Sequence, residues 1–152
     1  MIRKATTADI PRMVELGRLM HDESPRFQKY QYLDDQVGDL IKWLIHDHKG
    51  LAIVADVADS GIIGGILAMS APHFACAMMQ ACDLSFFMHP QHRGGTSAAR
   101  LVASYRKWAN SIGAEPNMGI STGVQTERTG KLFAALGAKQ SGSTWTWGLQ
   151  HV

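Results

Sequence analysis

Apolar positions along the chain change period several times, and those changes divide it into elements. Ile10, Met13, Leu16 and Met20 recur at helical spacing and predict a helix ending near His21. Thr7 is placed to cap it, and Pro11 falls in its first turn, where a missing N–H costs little. Ahead of it, residues 2–5 read as a short strand. A loop rich in charge and aromatic rings, residues 22–34, leads to a second helix. That helix carries Leu33, Val37, Leu40 and Leu44 on one face and ends near Gly50. The period then shortens. Residues 51–55 and 62–69 are apolar runs joined by Asp59-Ser60-Gly61, a predicted hairpin. Residues 71–81 read as a long apolar connection, shaping an acceptor site or a homodimer contact, and residues 83–88 as a further strand stopped by Pro90.

A helical stripe returns at Ala98, Leu101, Tyr105, Trp108 and Ile112, with Gly113 as its stop. Residues 118–124 are expected to form a strand. Thr126 is placed to cap a short helix over 127–136, closed by Gly137. Trp145, Trp147 and Leu149 then alternate with Thr144, Thr146 and Gly148, the period of a half-buried strand. Helices interrupting a mainly antiparallel sheet make an α+β domain, and no repeat or linker divides residues 1–152, so one domain is expected.

Composition narrows the class without naming it. A hydrophobic share of 45% and a charged share of 18% are those of an ordinary globular chain. A net charge of +2 gives no field that calls for nucleic acid or an anionic membrane, and no basic aromatic surface stands out. Cys76 and Cys82 are too few for a disulfide framework and lack a zinc spacing, so no metal is expected. Residues 1–6 carry no apolar run behind their charges, which speaks against a signal peptide. The expectation is a soluble cytoplasmic domain that binds neither nucleic acid nor membrane.

The segment most suggestive of chemistry joins the strand at 83–88 to the long helix. A glycine-containing loop that opens a helix aims several unpaired N–H groups one way, and such a nest binds an anion. Gly94 and Gly95 would let phosphate oxygens approach, and Arg93 could add a charge-assisted contact. Taken alone, a glycine-eased turn into a helix explains the pattern equally well.

The run His89-Pro90-Gln91-His92-Arg93-Gly94-Gly95-Thr96-Ser97-Ala98 resembles the acetyl-CoA loop of the GNAT superfamily of N-acetyltransferases. That loop usually reads Gln/Arg-x-x-Gly-x-Gly/Ala. Arg93 takes the first place and Ala98 the last, while Thr96 stands where the middle glycine is expected. Residues 2–11 resemble the opening strand and helix start of the superfamily, and residues 20–24 a segment between the first helices of bacterial and phage members. Residues 126–138 resemble its closing helix.

The resemblance implies a six- to seven-stranded, mixed, mainly antiparallel sheet flanked by about four helices. It implies direct transfer of acetyl from acetyl-CoA to a primary amine of a small molecule or peptide. Cofactor contacts would come from Phe87, Met88, Arg93, Gly94, Gly95, Thr96, Ser97 and Ala98, with the Met88 N–H polarising the thioester carbonyl. Asp83 is the implied base, with Glu23 as rival; alternation expects Asp83, Ser85 and Phe87 on one face. Thr126 would bond the cofactor arm or cap its helix. Phe133 stands where a tyrosine acid is usual and would pack near the cofactor. The alternative is an acyl-CoA-binding module with little or no turnover and a regulatory role.

Overall fold

In the computed structural model, which describes residues 1–148, five strands form one sheet. They are β1 (Ile2–Lys4), β2 (Gly50–Val57), β3 (Gly61–Pro72), β4 (Met79–Met88) and β5 (Ala114–Asn117), adjacent in that order. Pairs from β1 to β4 are antiparallel, and β5 runs parallel to β4. Helices α1 (Ile10–Glu23), α2 (Asp34–His46), α3 (Thr96–Ser111) and α4 (Thr126–Ala135) complete the fold. No helix among the described residues is long and apolar enough to cross a membrane.

Alternation along β2 sends side chains to two cores. Ala52 and Val54 pack with Met13 and Leu16 of α1, Ile41 and Leu44 of α2, and Phe87. Leu51, Ile53 and Ala55 pack on the other face with Leu101, Val102, Tyr105 and Ala109 of α3. Near the start, Asp9 accepts from Arg3 Nη1 (2.7 Å) and Nη2 (2.9 Å) and from the Thr6 N–H (2.7 Å). Arg3 Nε also donates to Asp56 of β2 (2.9 Å), so one cluster fastens β1, the helix start and the sheet.

Several expected boundaries move. The strands around the hairpin at 73–78 are longer than expected: Ser70, Ala71 and Pro72 pair with Ala81, Gln80 and Met79, so most of the presumed connection is sheet. Strand β5 occupies Ala114–Asn117, directly after the turn at Gly113 (φ +67°), and residues 118–124 are not strand. Gln125, not Thr126, is the N-cap of α4. No strand forms over 144–148, where Trp145 and Trp147 are exposed, and Leu149 lies outside the described residues. The sheet therefore has five strands among the described residues, not six or seven.

Candidate active site

The site begins where two strands part. The β4–β5 ladder ends at Cys82 and Asn117, while β4 continues to Met88. At that fork the buried Tyr105 hydroxyl lies 2.7 Å from the carbonyl oxygens of both Ala81 and Asn117 and accepts the Asn117 N–H (3.1 Å). Just beyond it, the Asp83 carboxylate accepts the Gly119 N–H (2.8 Å). The diverging segment is held away from β4 by the loop after α1. Ser24 Oγ donates to the Thr122 carbonyl (2.6 Å) and Arg26 Nη1 to that of Ser121 (3.2 Å). The gap is a cleft of about 550 Å³, lined by Asp83, Phe86, Phe87, Met88, Arg93, Gly94, Gly95 and Ala98 among others.

A bulge in β4 decides which groups face the gap. Leu67 pairs with Ser85 and Ala68 with Asp83, leaving Leu84 without a partner. The extra residue reverses the alternation, so Asp83 shares the α3 face with Ala81 while Phe87 enters the α1–α2 core. The expected common face of Asp83, Ser85 and Phe87 does not form. Farther along, the His89 N–H donates to the Ile63 carbonyl (2.8 Å). Antiparallel alternation then turns the Met88 N–H and C=O toward the open edge, where the carbonyl accepts Arg93 Nε (3.2 Å).

After a 3₁₀ turn at Pro90–His92, Gly94 takes φ +96°, a conformation that favours glycine, and Gly95 is the N-cap of α3. Glycine has no side chain to accept from the first-turn N–H groups, so they face outward uncapped. Arg93 reaches back instead of out. Its Nη2 pairs with Glu23 Oε2 at 2.6 Å, which joins a presumed cofactor residue to a presumed base. The cation over the loop is Arg128 of α4: a Cβ at Gly94 would collide with its guanidinium. Arg128 donates to Gln125 Oε1 (3.3 Å) and pairs with no carboxylate among the described residues. No motif singles it out; its place in the first turn of a helix that folds against the loop is the available signal.

Thr96, Ser97, Thr126, Glu23 and Phe133 are not on the cleft wall. Thr96 and Ser97 open α3, Thr126 opens α4, and Phe133 packs on Phe86 with ring centres 6.3 Å apart. Burial raises the Asp83 pKa, and its bond to Gly119 offsets only part of that. Burial likewise pushes the Tyr32 phenol, another wall residue, up to about 12.

The sequence matches no family model and no curated protein. Solved structures are similar over almost the whole chain. A transcriptional regulator from Bacillus halodurans is 21% identical, with 98% of this chain and 99% of that one covered, at a TM-score of 0.76. An aminoglycoside 6'-N-acetyltransferase from Acinetobacter haemolyticus is 14% identical, covering 100% and 99%, at 0.72. A ribosomal-protein-alanine N-acetyltransferase from Brucella melitensis is 17% identical, covering 98% and 99%, at 0.69. At such identities the likeness is one of architecture, and the architecture of this chain is the GNAT fold.

Proposed function

We propose that the protein is an N-acetyltransferase that takes acetyl-CoA as co-substrate and acetylates a primary amine of a small molecule or peptide. The observation that carries this reading is the parting of β4 from β5 immediately before an uncapped, glycine-opened helix. The residues present fit the cofactor. A Cβ at Gly95 would meet nothing within 4 Å, so the nest has room for a phosphate, and Arg128 brings a cation beside it. The N–H groups of residues 94–98 hold the pyrophosphate, and the open edge of β4 at Met88 faces the pantetheine arm, while the backbone of Phe87 is turned to β3.

Acetyl-CoA supplies, when bound, the thioester carbonyl on which the amine acts. The Met88 N–H, turned to the open edge, donates to that oxygen. Asp83 takes the proton of the attacking ammonium, directly or through water, and its raised pKa makes it a stronger base. Glu23 is held by Arg93 and serves to position that side chain. Phe133 has no proton to give, so protonation of the departing thiolate falls to water.

The second reading, an acyl-CoA-binding module without turnover, is favoured by Phe133 and by the engagement of Glu23 with Arg93. Calorimetric binding of acetyl-CoA together with thiol release over a panel of primary amines separates the two. Binding with amine-dependent thiol release is expected. Binding with no acetylated product from any amine would leave the module reading standing.

A further inference from the structure

The lining of the cleft is of two kinds. Granting the acetyl-transfer reading above, on which this inference rests, the nest and Arg128 assign the part beside α3 and α4 to the cofactor. The amine then takes the part lined by α1, α2 and the loop that joins them. The wall there is Met13, Met20, Phe27, Tyr32, Val37 and Leu40.

Two features show that this wall is apolar by construction. Helix α2 meets the core through Ile41 and Leu44, with Val37 packed at its edge, leaving Leu40 on the cleft and 37% exposed. Apolar side chains left open to water gain by covering, roughly 25 cal/mol for each Å² buried. The polar groups nearby also turn away from the cavity. The Tyr32 hydroxyl donates to the Val14 carbonyl (3.1 Å), in space that exists because Gly17 has no Cβ. His21 Nε2 lies 2.8 Å from the Tyr30 carbonyl, and Glu23 pairs with Arg93. Asp83 is the carboxylate that lines the cleft. One carboxylate can receive one ammonium; each further cation of a polyamine would be desolvated without a partner.

We infer that the acceptor carries a single primary amine next to an apolar, ring-sized group, and that polycationic amines are poor substrates. The amine can belong to a free aralkylamine or to the N-terminal residue of a peptide. Phenethylamine and a phenylalanine-leading dipeptide amide distinguish those sources, with spermidine and kanamycin as polycations. The better of the first two should exceed both polycations in kcat/KM by about 10- to 100-fold, the worth of burying one aromatic ring. Leu40→Asp, at a position open to solvent, should erase most of that preference while acetyl-CoA affinity stays unchanged. Equal or better turnover of a polycation, or a preference unaltered in Leu40→Asp, overturns the inference and leaves acetyl transfer intact. Acetyl-CoA binding with no product from any amine overturns both.

Discussion

Gly95 separates folding from binding, because a side chain there enters open space and its φ of −82° suits any residue. Gly95→Asp should therefore unfold at the wild-type temperature yet bind acetyl-CoA about 100-fold more weakly, since like charges about 4 Å apart repel by several kcal/mol near a surface. Unchanged affinity by calorimetry would remove the pyrophosphate from this loop. Arg128 is the complementary test. Arg128→Ala should weaken acetyl-CoA binding by about tenfold, the usual worth of one charge-assisted contact, and make it less sensitive to salt. The loop was readable in sequence because nests depend on glycine spacing. Arg128 was not, since nothing local tells which distant cation will lie over it. Asp83 belongs to the same scale. Its pKa is raised, so it stays protonated to higher pH than an ordinary carboxylate, and activity should climb as pH rises through that value. Asp83→Asn keeps an acceptor for the Gly119 N–H but no base. It should lower kcat roughly 100-fold and abolish that acid limb, with acetyl-CoA affinity little changed.

Elements were legible wherever one face had one job. The periods of α1, β2 and α3 predicted their cores because most of their apolar residues meet the sheet. Helix α2 shows the limit. Leu33, Val37, Leu40 and Leu44 form a valid stripe, but the core is made by Ile41 and Leu44, Val37 lies between core and cleft, and Leu40 faces the cleft. A wide apolar face does not declare which part is core and which is wall. The β4 bulge was hidden for a related reason: an unpaired Leu84 is defined by its partner strand, not by its own sequence. The start of the chain is held by ions as well as by period. Arg3 holds the Asp9 carboxyl well below the usual carboxylate range, while also binding Asp56. Asp9→Ala should cost about 2 kcal/mol in urea unfolding with an unchanged m-value, through the lost helix-start and charged hydrogen bonds. The depressed pKa gives the sign of the pH effect. Asp9 contributes fully above its unfolded pKa of about 4, and the contribution fades as pH falls below that. The gap between wild type and variant should narrow accordingly in acid.

For the whole molecule, the decisive fact is that two cores share one sheet. Ile53 and Val54 are neighbours in β2, yet one packs under α3 and the other under α1 and α2, so neither core can be lost without stripping the strand that supports the other. The cleft is built from both halves, with β4 as its floor and its lining drawn from both helix pairs. Its shape was not legible in sequence, because it depends on where β5 leaves β4. That point is set by Tyr105 and Asp83, each bonding backbone more than ten positions away. This arrangement predicts a single cooperative thermal transition, with calorimetric and van't Hoff enthalpies equal, as expected of one domain. Two resolved transitions would show separable units instead. It also predicts how the cofactor acts on the fold. A ligand touching β4, α3 and α4 binds only where both the fork and the nest are intact, so it must stabilise the whole chain. At about 100 times its Kd, coenzyme A should add about 2.7 kcal/mol and raise the single transition by several degrees. The same concentration should stabilise Gly95→Asp by only about 0.4 kcal/mol, because it then merely equals that variant's Kd. A shift of equal size in that variant would mean that coenzyme A stabilises the fold from somewhere other than the N-terminus of α3.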